Sequence, residues 1–276
     1  MSRLYYLIAT LPEFDPLDTK TPLDVEGIVR IIMDNVDEEG QIQIKMILVK
    51  NDIRNIVNFY SNKNGTITGN KMPYLPALIN PQELEEWTLY KDQWPEFLRV
   101  LMEDFQAEIT SMSEKELTRF FWGAYYNALE NMNPYLKEVM QNYVIMHDIL
   151  GLIRSKNLGL GLWDHWIGYE SQLEDLKSGR LTLSGMSHEH ENFNNLKTKT
   201  LDSEPWEAES WCDDLLIRKS QELLSRNPFD MEHLLFYTFK LLVGAKWREM
   251  TSDYGSKRFD FLKKQLISEI EIPSVI

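Results

Sequence analysis

Residues 226–250, RNPFDMEHLLFYTFKLLVGAKWREM, decide how the rest of the chain is read. Asn227-Pro228 stops one helix, because proline restricts the residue before it and cannot continue the hydrogen-bond ladder. Asp230 can cap the next helix. Leu234, Leu235, Tyr237, Phe239, Leu241, Leu242 and Trp247 then make that helix apolar around most of its circumference, so it has to be buried among others. Taken alone, this pattern specifies core packing with no chemistry attached.

Working outward, the 276 residues are 43% hydrophobic and 12% aromatic, with eight Trp and twelve each of Tyr and Phe, enough to fill a large core. Thirteen Gly and eleven Pro are too few for a loop-rich β architecture. The expected fold class is all-α, in two or three helical lobes drawn at 1–72, 73–185 and 186–276, which can also pack as one body. Forty-three acidic against 29 basic residues give a formal charge of −14, which repels phosphate backbones, and Lys and Arg are dispersed. Nucleic acid is therefore excluded as a partner. An acidic exterior suits either docking on a basic protein surface or simple solvation.

The single cysteine, Cys212, excludes an internal disulfide and a Cys-rich zinc site, and reads as a core thiol in a reducing compartment. The N-terminal apolar run 4–11 is too short and polar for a secretory signal. No window approaches the roughly 18 to 20 apolar residues of a spanning helix. The expected location is cytoplasmic, with any attachment to the inner membrane made through partner subunits.

Along the chain, the run 4–10 is either a strand or the first turns of a buried helix. Thr21-Pro22 reads as a helix start, with Thr21 as cap and Val25, Ile28, Val29, Ile31, Ile32 and Val36 as the apolar face. Gln41-Ile42-Gln43-Ile44 alternates like a short strand ahead of helical spacing over 46–59, in a helix that ends at Lys63-Asn64-Gly65. Residues 65–81, with two Gly and three Pro, are the best linker candidate. Helical pattern resumes at Pro81, with a break at Pro95. Ser113-Glu114-Lys115-Glu116 is a capping box launching 117–129, and Asn133-Pro134 separates that helix from 135–156 in a helical hairpin. A further helix spans 162–176, the polar stretch 178–203 is a second connection, and Glu204-Pro205 opens a helix running to Leu224.

The segment Asn-Pro-Phe, a helix with Tyr237 in mid-course and a basic exit resembles the C-terminal part of the C subunit of V/A-type rotary ATPases, called d in the eukaryotic enzymes. The family frame at the helix exit, an acidic residue followed by Asn-Leu-Arg, here reads Val243, Lys246, Trp247, Arg248, so only the arginine is kept. The opening Tyr5-Tyr6-Leu7-Ile8-Ala9-Thr10-Leu11-Pro12 is similar to that of an uncharacterised family encoded within bacterial V-type ATPase gene clusters. An internal echo adds to this: residues 148–159 align with 55–64, followed by Gly65 one place early, each an apolar helix running into Lys-Asn and a glycine. The echo is also what any helix stop with a terminal cation looks like. In that ATPase socket family, three similar lobes each carry Asn/Asp-apolar-x-x-apolar-apolar-Arg/Lys-x-Lys before a glycine. Arg154 and Lys156 match that frame, Lys63 matches in the first copy, and the third copy, ending at Arg248, departs most.

What the resemblance implies is a socket without chemistry of its own, seated between the proteolipid rotor ring and the central shaft of a proton or sodium V/A-type ATPase. Lys63, Arg154, Lys156 and Arg248 would then be structural or interface residues tying helix ends together. The rival readings are an unrelated helical adaptor or assembly factor, and a metal-dependent enzyme.

For the latter, His188-Glu189-His190-Glu191 is the one stretch with metal-ligand character, but it lacks a third His or Cys nearby and departs from the His-Glu-x-x-His pattern. No metal or other cofactor is expected. His147 and His233, on apolar helices, read as core histidines hydrogen-bonded to a neighbour. No phosphate-binding Gly-x-x-x-x-Gly-Lys-Ser/Thr loop, dinucleotide fingerprint or Gly-x-Ser-x-Gly elbow occurs, which excludes a nucleotide-binding ATPase subunit.

Overall fold

In the computed structural model, the described residues are 3–63, 73–157, 166–168, 170–180, 198 and 205–249. Every regular element among them is helical, as the composition requires. In chain order these are α1 (Arg3–Thr10), α2 (Val25–Asn35), α3 (Glu38–Lys63), two 3₁₀ segments (Pro81–Leu89 and Lys91–Gln93), α4 (Glu96–Asp104), α5 (Gln106–Ile109), α6 (Glu114–Leu129), α7 (Pro134–Asn157), α8 (Glu170–Lys177), α9 (Pro205–Glu222) and α10 (Met231–Glu249).

The helix that opened the sequence reading, α10, packs on α1, α2, α3, α7 and α9. Leu234, Leu235, Phe239, Leu241, Leu242 and Trp247 are all buried there. Its companion α3 is buried on nearly every side from Ile44 to Tyr60 and lies along both α6 and α10. One core cluster draws buried residues from each of the segments 1–72, 73–185 and 186–276, among them Ile53, Phe121 and Phe239.

Several local expectations change. Residues 4–10 are helical. The α2 cap is Asp24, whose carboxylate accepts the Gly27 N–H, and Thr21 serves elsewhere: its hydroxyl meets Asp18 and its carbonyl accepts from Arg248. On α2, Ile28 and Ile32 are buried whereas Ile31 is 51% exposed. The brief alternation at 41–44 is part of α3, because a helix covered on opposite sides tolerates polar residues that find partners. There Gln41 donates to the Met33 carbonyl and Gln43 accepts the Asn133 N–H. The Ser113 capping box forms as read: Glu116 accepts the Ser113 N–H at 2.8 Å and the Ser113 hydroxyl accepts the Glu116 N–H. Residues 166–168 are not helical, and α8 starts only at Glu170.

The described part of the expected linker, from Pro73 on, is strapped to α3. Asn55 pairs with the Tyr74 backbone in both directions, at 2.8 and 2.9 Å, and Asn51 donates to the Pro76 carbonyl. Asp52, 1% exposed, accepts the N–H groups of Leu78 and Ile79 and the Trp94 indole N–H, at 2.9 to 3.0 Å. Extended backbone has no internal ladder, so its buried N–H groups need a partner, and the carboxylate supplies one to two successive residues. The same device recurs on α7, where Asp148 accepts the N–H groups of Ile167 and Gly168 at 2.9 and 2.8 Å.

Removing the carboxylate leaves those donors buried without partners, at about 1 to 3 kcal/mol for each unsatisfied group. Asp52→Ala is therefore expected to lower the free energy of unfolding by about 3 kcal/mol or more. Chemical denaturation of the variant beside the parent measures this, and an unchanged midpoint would show that the strap bears no load.

Candidate functional site

The helices that close the core each direct polar side chains into one cavity of about 400 Å³. From α3 come Lys50 and Arg54, from α7 Tyr143 and His147, from α9 Glu209 and Asp213, and from α10 Lys246 with Glu249. The pairs on α3, α7 and α9 are four residues apart, which places both members on one helix face. Leu242, Val243, Asn51 and the strap residues Tyr74 and Leu75 complete the wall.

The acidic side is internally paired. Lys246 Nζ lies 2.9 Å from Asp213 and 3.1 Å from Glu209, and Glu209 also meets Arg154 at 2.9 Å. Asp213, 1% exposed, takes a further bond of 2.8 Å from the Trp247 indole N–H. Burial works against both charges, yet Asp213 and Glu209 together raise the Lys246 ammonium above its usual range, and Lys246 and Arg154 hold the Glu209 carboxyl below its own. Burial alone pushes Glu249 up to about 7.

The basic side is different. Lys50, 5% exposed, has its ammonium 4.3 Å from the centre of the Tyr143 ring. Arg54 donates to the Tyr143 hydroxyl at 2.8 Å, and its guanidinium lies 5.1 Å from the Tyr74 ring. Burial and the neighbouring Arg54 lower the Lys50 ammonium, against the pull of Tyr143. Burial acts to raise Tyr143, but Arg54, Lys50 and Lys246 outweigh it and bring the phenol below its ordinary range. His147 is held neutral, first by burial and then by Lys246 and Arg54.

Of the residues singled out from sequence, Arg154 meets the edge of this cavity through Glu209. Arg248 points away, donating to the carbonyls of Thr21, Gly244 and Asp15 at 2.9, 3.1 and 3.4 Å, so it fastens the end of α10 to the N-terminal loop. Lys63 is exposed at the end of α3, over the Phe59 ring at 5.6 Å. Lys156 belongs to the last turn of α7. His188 and His190 lie outside the described residues, among which no cluster of three or more His, Cys, Asp or Glu suits a metal ion.

His147 and His233, expected as core histidines hydrogen-bonded to a neighbour, each have one ring nitrogen that is not. Among the described residues His147 Nε2 and His233 Nδ1 are buried without partners. Cys212 is a core thiol, pushed up to about 12 chiefly by burial and then by Asp213. Lys50, Arg54, Tyr143, Glu209 and Asp213 were invisible as a set from sequence. Their one signal is charge inside otherwise apolar helices, as in MILVKNDIRNIVNF at 46–59.

The buried carboxyls also set a pH dependence. Burial lifts Asp52 to about 6 and Asp148 to about 7 from the ordinary 3.8, against the N–H bonds each accepts. The folded state therefore holds protons that the unfolded chain has released, and these groups make the fold less stable as pH rises from about 4 to about 7. Asp148→Asn, which carries no titrating proton, is expected to flatten that decline. Urea midpoints measured from pH 4.5 to 8 for both proteins report the difference, and parallel curves would contradict the assignment.

A family model described as "Protein of unknown function (DUF2764)" matches residues 1–272. No curated protein and no solved structure matches the chain.

Proposed function

The chain belongs to the DUF2764 family, and from that premise we propose that it is a non-catalytic coupling component of a bacterial V/A-type rotary ATPase, a socket joining the membrane rotor ring to the central shaft. One observation carries the reading. The internal echo places Asn55 and Asp148 at the same frame position, and each, on a long helix, binds backbone that returns after it, Asn55 through the N–H and carbonyl of Tyr74 and Asp148 through the N–H groups of Ile167 and Gly168. A repeated helical unit of this kind is what resemblance to the ATPase socket family implies.

Two further features support it. A torque-bearing part has to be stiff, and aromatic contacts link α6 to the α4–α5 segment, Phe120 meeting Phe105 edge to face at 5.3 Å and Tyr125 meeting Phe97 at 6.1 Å, while Phe120–Phe121 and Trp122–Tyr125 pack edge to face along α6 itself. Arg154 and Arg248 bind the ends of α7 and α10 to other parts of the body, the role the resemblance gives them. The excess of acidic residues suits a basic surface on the shaft or on the ring loops. No helix among the described residues is long and apolar enough to cross a membrane, so attachment to the ring would run through protein contacts.

An affinity-tagged copy expressed in its own host is expected to bring down the V/A-type ATPase with its shaft and ring subunits. Its removal should uncouple ATP hydrolysis from ion pumping in membrane vesicles. An ATPase that assembles without the chain, pumps at full coupling and never co-purifies with it would end the proposal. Because charged contacts are screened beyond about 3 Å in 1 M salt, co-purification should weaken steeply between 0.1 and 1 M NaCl.

A further inference from the structure

We propose that the cavity between α3, α7, α9 and α10 is a binding site for a small phosphorylated organic molecule, with Lys50 and Arg54 holding the phosphate. The inference does not depend on the coupling role.

Lys50 and Arg54 stand one turn apart on α3 and carry like charges. Among the described residues neither has a carboxylate within 4.0 Å, and the Lys50 ammonium makes no hydrogen bond, although it is only 5% exposed. Their present company is aromatic: the Tyr143 ring and hydroxyl, and the Tyr74 ring. Cation–π contacts offset only part of the penalty for taking an ion out of water. In a chain with a formal charge of −14, two cations held inward and away from the available carboxylates point to a missing anion.

The cavity's own acids fill that role only from a distance. Asp213 favours the charges of Lys50 and Arg54 without an ion-pair contact to either, its close partners being Lys246 and Trp247; Glu209 is engaged by Lys246 and Arg154, and burial pushes Glu249 up to about 7.

The donor set selects the ligand's chemistry. A lysine point charge one turn from an arginine fork, with the Tyr143 hydroxyl at the arginine, matches the charge and the several acceptor oxygens of a phosphate dianion. A single carboxylate would leave one cation unpaired. His147 Nε2, buried and without a hydrogen-bond partner among the described residues, adds a polar atom to the same wall. The volume of about 400 Å³ lies within the range of ligand pockets and exceeds what a bare phosphate needs. Tyr74, Leu75, Leu242 and Val243 give an organic portion an apolar surface.

The test titrates the purified full chain, in low-chloride buffer, with glycerol 3-phosphate, AMP, inorganic phosphate and malate. Heat of binding and melting temperature are both read. At least one phosphate ester is expected to bind saturably and raise the melting temperature, beyond NaCl at matched ionic strength. Lys50→Met and Arg54→Gln should each weaken that binding tenfold or more. Lys50→Met without ligand should melt no lower than the parent, because removing a buried cation that lacks a carboxylate orphans no partner. The proposal is overturned if no phosphate compound binds, if both variants bind as the parent does, or if malate binds more tightly than every phosphate ester. It is equally overturned if Lys50→Met melts well below the parent, which would make the lysine a structural cation.

Discussion

Buried side chains that accept or exchange hydrogen bonds with non-helical backbone hold this protein together. Helices satisfy their own peptide groups, so packing them needs only complementary apolar faces. The stretches between helices have no such ladder, and two of them are pressed against the core. Asp52 and Asn55 receive the first, at 74–79, and Asp148 receives the second, at 167–168. Each takes a carboxylate or amide out of water, which raises both aspartates, and in return leaves the enclosed backbone donors paired. Without these anchors the strap that covers α3 would have to lie in solvent.

That strap also shapes the polar cavity. Tyr74 and Leu75 form part of its wall only because Asn55 fixes the Tyr74 backbone on α3. One turn of α3 therefore faces two ways, with Asp52 and Asn55 turned to the strap and Lys50 and Arg54 to the cavity. The two lysines there stand in unequal surroundings. Lys246 leans on two carboxylates, whereas Lys50 leans on the face of an aromatic ring. Burial penalises both, and only for Lys246 do the surrounding groups outweigh it.

The coupling reading and the cavity are compatible within one body. Aromatic side chains along α6 and the apolar circumference of α3 and α10 fill the core, and close packing of this kind limits local rearrangement. A polar cavity inside such a frame sits among rigid walls, so an occupant would meet preset geometry. Arg248 belongs to the frame alone: its three carbonyl contacts hold the N-terminal loop against the end of α10.

The sequence by itself determined the helical class, the burial of α10, the capping box at Ser113, the stop at Asn133-Pro134 and the core placement of Cys212, because each is written in local periodicity or in a single residue's chemistry. It misplaced the start of α2 and divided α3, where capping and burial were settled by partners far along the chain. Tertiary structure alone decided which polar residues meet. Lys50, Tyr143, Asp213 and Lys246 lie on four helices, and no spacing within any one of them reveals the others. Helical repetition states which way a side chain points on its own rod, and the packing of rods decides what stands opposite it.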